Sequence, residues 1–237
     1  MEVKQEAAAA PTPKKLKALF VNGGPRRKNN TAQMLESCMK GASDAGAETT
    51  MVHLYDLTFS GCKSCFACHL KDAKTDGVCA LKDDLRPVLE QARDADILVI
   101  GSPVYFSYPT GATRSFLERL LFANHTYDLG PNGEFPVVLR RKRTAAIFTM
   151  NVAESDMEAW KYPILLGTTG NVLRRMFGHS EVLYACDTLQ FSDYSKYQSG
   201  LFDEEQKRRH HDEQFPIDLK KAYELGKRLV EMEDVSK

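Results

Sequence analysis

Neither sign of charge is in excess in this chain of 237 residues: Lys and Arg number 32, and so do Asp and Glu. That balance removes the broad positive field with which a protein gathers nucleic acid or an anionic membrane surface, so neither partner is expected. Also missing is an apolar run long enough to cross a bilayer. The opening MEVKQEAAAAPTPKK has an acid at Glu2 and only a short alanine run. It reads as a mobile tail over 1–15 and makes a poor secretory signal. Nowhere is there a G-x-G-x-x-G or a G-x-x-x-x-G-K-[ST] element, so dinucleotide-fingerprint and P-loop readings lack support. No internal repeat and no Ser/Gly linker divides the sequence. One folded unit over 16–237, with a helical C-terminal extension, is the economical expectation.

What is present is a regular alternation. The apolar runs LKALFVN (16–22), ETTMVHLYDL (48–57), DILVIGS (96–102), RTAAIFTMN (143–151) and SEVLYACDTL (180–189) predict five strands. Between them lie helical patterns. The first carries Ala32, Leu35, Met39 and Ala42 at helical spacing, with Asn30 or Thr31 to cap it and Gly46 to end it. The second, 82–96, opens on acids that suit the positive end of a helix dipole and has Pro87 near its start. A third covers 109–122 with Pro109 at its beginning, a fourth covers 164–178, and a C-terminal helical region is broken at Pro216. Residues 123–142 read as a polar excursion. Strict strand–helix alternation implies an α/β fold: a doubly wound, five-stranded parallel sheet with helices on both faces.

In such a sheet, ligands bind at the carboxyl ends of the strands where strand order reverses. The turns after the first and third strands therefore matter most. NGGPRRKNNT (22–31) brings Gly23 and Gly24 for close backbone approach, a helix start with free N–H groups, the short donors Asn29, Asn30 and Thr31, and the cations Arg26, Arg27 and Lys28. That set suits a phosphate. GSPVYFSYPTGA (101–112) places Val104, Tyr105, Phe106 and Tyr108 beside exposed backbone, which suits a flat heteroaromatic ring. The bland alternatives are a basic surface turn and aromatics that plug the core. Phosphate and flat ring together describe FMN.

These two turns, with the segment GCKSCFACHL…GVCALKDDL, resemble the flavodoxin-like NAD(P)H-dependent FMN reductases, close to their iron–sulfur flavoprotein branch. The resemblance runs without strain over residues 16–150. It implies FMN held at its phosphate by Arg26, Asn30 and Thr31, with the backbone at Gly24 assisting; the family usually has Ser at this last position. It implies that Pro103, Val104, Tyr105, Phe106 and Ser107 border the isoalloxazine, and that the end of the fourth strand, with Thr149, Met150 and Asn151, also lines the flavin. An ordinary strand end is the alternative there. The implied activity is hydride transfer from NAD(P)H, a transient donor, to FMN, followed by reduction of a small acceptor: a quinone, a nitro or azo compound, or free flavin. Such chemistry belongs to the cofactors, so no catalytic triad is expected. The resemblance also implies a site at a subunit interface, hence a homodimer or higher homo-oligomer, with 134–143 and 159–167 as lid or contact segments. A second reading is an iron–sulfur flavoprotein that carries electrons between protein partners.

Four of six cysteines fall within GCKSCFACHLKDAKTDGVC (61–79). Without a leader, they point to a cytoplasmic protein whose C-x-x-C spacings serve metal or redox chemistry. Cys62, Cys65 and Cys68 have the C-x2-C-x2-C spacing that wraps a cubane cluster, and Cys79 is the candidate fourth thiolate for a [4Fe–4S] centre. The ten residues between Cys68 and Cys79 exceed the family's usual gap. Zinc on the same thiolates or on His69, and a cysteine-lined loop of free or reversibly oxidised thiols, remain the alternatives. Cys38 and Cys186 read as core residues, and His210 and His211 as part of a solvated helix face.

Overall fold

The computed structural model describes residues 15–133, 135 and 138–233. Residues 1–14 of the expected tail, and Glu134, Pro136 and Val137 of the expected lid segment, lie outside the described residues.

Five parallel strands form the sheet: β1 (Lys17–Asn22), β2 (Glu48–His53), β3 (Ile97–Tyr105), β5 (Lys142–Thr149) and β6 (Gly178–Ala185), in the order β2-β1-β3-β5-β6. A short β4 (Tyr108–Pro109) folds back antiparallel on β3. β1 lies between β2 and β3, so the chain reverses its winding direction beside it. Every residue of β5 is buried, as are Ile97–Ile100 of β3. Continuous burial follows from helices covering both faces.

One face carries α2 (Arg86–Asp94), α3 (Gly111–Ala123) and α4 (Tyr162–Phe177), whose Leu89, Phe116, Leu120, Leu173 and Phe177 share a core with Leu98 and Phe148. The other carries α1 (Asn30–Asp44) and α5 (Glu204–Glu231), through Leu35, Cys38, Leu225 and Leu229 against Phe20, Val99 and Ile147. These two helices touch backbone to backbone. A Cβ on Gly41 would lie 2.0 Å from the Tyr223 oxygen, and one on Gly226 would lie 1.8 Å from the Cys38 oxygen.

Several boundaries differ from the sequence reading. α2 begins at Arg86, past the acids at Asp83 and Asp84; its first turn has no acid, while Pro87 does sit at its start. Asp83 instead pairs with the buried Arg119, which holds it outside the helix. Pro109 belongs to β4, and the side chain of Thr110 caps α3 by accepting from the Thr113 N–H. Asn30 and Thr31 are the first residues of α1 rather than caps; Asn29 takes the cap position without a side-chain bond to the helix N–H groups, and Gly46, at φ +97°, follows the helix end. α5 runs unbroken through Pro216. Phe215, Ala222, Leu225 and Leu229 pack into the core on both sides of that proline, and this burial outweighs the loss of one helical hydrogen bond.

Candidate active site

The turn after β1 is built from side chains that serve its backbone. Asn22 ends β1 fully buried. Its Oδ1 accepts from the Gly24 N–H at 2.8 Å, and its Nδ2 meets Nδ1 of His53, at the end of β2, at 3.0 Å. The Gly23 N–H donates to the Gly101 oxygen at 2.8 Å, and the Thr110 hydroxyl donates to the Gly23 oxygen at 2.7 Å. A Cβ on Gly23 would stand 1.8 Å from Thr113 Oγ1, so the turn admits no side chain there. The chain then enters α1, whose first N–H groups have no helical acceptor. Arg26 Nη1 donates to the Gln190 oxygen and Asn30 Nδ2 to the Leu189 oxygen, both at 3.0 Å. The Thr31 and Thr149 hydroxyls are 2.6 Å apart.

The second wall is the β3–β4 hairpin. Tyr105 pairs with Tyr108 across a two-residue turn in which Phe106 (φ +49°) and Ser107 (φ +72°) both lie in the left-handed region. Such turns match the twist of a hairpin but favour Gly or Asn, so Phe106 and Ser107 hold a strained backbone. Below them Ser102 Oγ accepts from the Thr110 N–H at 3.0 Å and from the Thr113 hydroxyl at 3.2 Å. Burial, then the neighbouring Tyr55, pushes the Tyr105 phenol above its ordinary range.

The third wall joins the ends of β5 and β6. The Met150 N–H donates to the Ala185 oxygen at 3.0 Å, and the Met150 oxygen accepts from the Thr188 N–H at 2.9 Å and its hydroxyl at 3.1 Å.

One cleft gathers Gly24, Arg26, Asn30 and Thr31 from the first wall, Pro103, Val104 and Tyr105 from the second, and Thr149, Met150 and Asn151 from the third. Phe106 and Ser107 do not line it; they form the hairpin tip, where Phe106 is 99% exposed. Thr188 and Gln190 also line the cleft, and no motif in the sequence marks them. Their signal was position: they follow the last strand, at the same carboxyl edge of the sheet.

The cysteine segment lies against α3. The Cys62 N–H donates to Glu118 Oε2 at 3.2 Å, and Cys68 Sγ is 3.2 Å from His69 Nδ1. His69 stacks on Phe122 with ring centroids 4.5 Å apart. Cys65 is exposed and Cys79 is buried. Burial, then the neighbouring thiols of Cys79, Cys65 and Cys62, raises the pKa of Cys68, which favours its protonated form. Arg119 is fully buried; it pairs with Asp83 at 2.5 Å, donates to the oxygens of Ser60 and Leu81, and lies against Cys79. Burial works against the Asp83 carboxylate, but Arg119 holds it below the usual range. Among the described residues, no three His, Cys, Asp or Glu side chains are gathered as they would be around a metal ion.

The remaining thiols behave differently. Burial pushes Cys38 up to about 12, as expected of a core residue. Cys186 follows β6 rather than lying within it, and burial followed by Glu154 pushes it up to about 11. His210 and His211 are half-buried, not a solvated face; His211 stacks on Phe215 at 5.0 Å.

Comparison with known proteins agrees with this architecture. An iron–sulfur flavoprotein of Archaeoglobus fulgidus is 39% identical over 104 residues, 44% of this chain and 48% of the relative. The chain spans about half the length of the curated relatives it matches. Among solved structures, an NAD(P)H:quinone oxidoreductase from Methanothermobacter marburgensis has a TM-score of 0.62 at 16% identity, covering 93% of this chain and 100% of its own. An azoreductase from Bacillus anthracis has the same TM-score and identity, covering 90% and 99%. Both share the fold. Residues 16–153, more than half of the sequence, match one family as a whole, and the chain belongs to it: the NADPH-dependent FMN reductases.

Proposed function

We propose that the cleft binds FMN and that the protein is an NAD(P)H-dependent FMN oxidoreductase acting on a small acceptor. The observation that carries the reading is the meeting of three walls in one cleft: a phosphate-type turn at the start of α1, a hairpin wall ending in aromatic residues, and a hydroxyl-bearing strand end. The donor set fits the cofactor. Gly24 leaves its backbone open to close approach, Arg26 brings positive charge, and the α1 N–H groups and Thr31 add neutral donors.

FMN, when bound, supplies the chemistry that accepts a hydride and returns electrons. The chain supplies position and environment. Arg26, Asn30 and Thr31 hold the phosphate. Pro103, Val104 and Tyr105 flank the ring, with Thr149 and Asn151 opposite. Phe106, Trp160 and Ile164 present apolar side chains to solvent. They suit stacking of a flat substrate or contact with a second copy of the chain. No side chain is asked to act as acid or base.

An anaerobic absorbance spectrum before and after NADH or NADPH tests the reading. Flavin bands that bleach with either donor support it. A purified protein that carries no flavin and binds none in a titration overturns it. The name of the Archaeoglobus relative and the Cys62–Cys65–Cys68 spacing favour a second reading, an iron–sulfur electron carrier. That role requires the cysteine segment to close further, because among the described residues no three of these side chains are gathered as around a metal ion. Iron and acid-labile sulfide in anaerobically prepared protein support the carrier, and their absence after reconstitution removes it.

A further inference from the structure

The last third of the chain lies beyond the family match over residues 16–153, yet it fixes one wall of the cleft. Lys207, at the start of α5, is 5% exposed. Its Nζ donates to Asn151 Oδ1 and to Asp187 Oδ1, the latter at 2.5 Å. The Phe202 ring lies 5.7 Å from the same Nζ. A lysine withdrawn from water needs its charge and its N–H groups met by protein. Here the partners come from two loops: Asn151 follows β5 and lines the cleft, while Asp187 follows β6. Asp187 stands at φ +51°, in the left-handed region that Asp tolerates better than most side chains, and its N–H is tied to the Val152 oxygen at 2.8 Å. His210 Nδ1 lies 3.9 Å from its other oxygen. Just beyond Asp187, the oxygens of Leu189 and Gln190 receive Asn30 Nδ2 and Arg26 Nη1.

We propose that Lys207 is a positioning residue: it clamps the loop after β6 to the end of β5, and so sets Arg26 and Asn30 for the phosphate of the bound flavin nucleotide. This rests on the reading of the cleft as an FMN site. Lys207 reaches that phosphate only through the loop. Without it, residues 187–190 gain freedom, and Arg26 and Asn30 lose fixed acceptors. The ring wall at residues 103–105 hangs on a separate network, through Ser102, Thr110 and Thr113, and keeps its place. Lys207 also holds Asn151 on the ring side, but the backbone beside Asn151 stays tied through Met150 to Ala185 and Thr188, so the larger loss falls on the phosphate end.

The test uses the full chain with Lys207→Met. In the apoprotein, amide hydrogen exchange over residues 187–190 rises about tenfold or more while β5 stays protected. In titrations, the Kd for FMN rises about tenfold and that for riboflavin, which lacks the phosphate, less than about twofold. Asp187→Asn keeps the side-chain shape and removes the charge; it gives the same pattern at smaller size, and it serves where Lys207→Met folds poorly. Unchanged exchange, an unchanged FMN Kd, or equal weakening of FMN and riboflavin overturns the proposal. A wild-type protein that binds no FMN overturns the cofactor reading instead, and the exchange measurement still decides whether Lys207 holds the loop.

Discussion

The two ends of the sheet treat polar groups in opposite ways. At the end where the strands begin, β5 opens with two buried cations. Lys142 Nζ donates to the oxygens of Arg93 and Ala95 at the end of α2, at 2.8 and 2.5 Å. Arg143 Nη1 donates to the oxygens of Leu229 and Val230 at the end of α5, at 3.1 and 2.9 Å. Each cation closes a helix C-terminus, where free carbonyls and the dipole favour positive charge. At the end where the strands finish, α1 begins with open N–H groups, Arg26 donates to the Gln190 oxygen, and Phe106, Ser107 and Asp187 hold left-handed backbone. One end spends its cations on helix carbonyls; the other keeps open N–H groups beside the cleft. Cations in similar backbone company thus meet helix carbonyls at one end and loop carbonyls beside the cleft at the other.

Four measurements break or sharpen this contrast. The largest effect is expected from Arg143→Met, which leaves two carbonyls at the end of α5 unmet. It lowers unfolding stability by about 3 kcal/mol in urea titrations, while FMN affinity of the folded protein stays as it was. Next is a pH effect. Burial lowers Lys142 from 10.5 to about 8. Above pH 8 the folded chain has released a proton that the unfolded chain keeps until the ordinary lysine range, so this residue's contribution to stability rises with pH across that window. The gain is about 2 kcal/mol between roughly pH 8 and 10, read as the difference between wild type and Lys142→Met; a constant difference removes the assignment. Third, at the other end, Arg26→Ala weakens FMN binding about tenfold, near 1.4 kcal/mol, with little change in Tm. An equal fall in Tm and affinity would erase the contrast between the ends. Smallest is Phe106→Gly, which relieves the left-handed strain and raises stability by about 1 kcal/mol.

The sequence made most of this visible where side chains do the work. Apolar runs located the five parallel strands, and Gly-Gly-Pro-Arg marked the turn at the first strand end that lines the cleft. What stayed hidden was carried by backbone or by distance. Leu189 and Gln190 contribute carbonyl oxygens, which every residue has, so no residue type marked them. Lys207 meets Asn151 across 56 positions and stands in a charge run that reads as solvated surface. Pro216 pointed to a break because local rules oppose it; burial on both sides of the proline decided otherwise. The family resemblance places Phe106 beside the isoalloxazine, whereas in the structure a two-residue turn points it to solvent, 99% exposed. The cysteine spacing was legible, whereas the buried Arg119 beside Cys79 required the fold.

The glycine contact between α1 and α5 acts as an index mark for the whole carboxyl edge. Gly41 stands on the helix that opens with Asn30, and Gly226 on the helix that opens near Lys207. From Lys207 to Gly226 is roughly 28 Å of helix at 1.5 Å per residue. A slide of α5 along α1 would drive backbone into a neighbour's carbonyl, so the spacing between clamp and turn is set far from either. Portability follows from that. A chimera that grafts residues 16–153 onto another C-terminal half inherits the turn intact, but keeps it aligned only if the new helix presents a glycine at the same height.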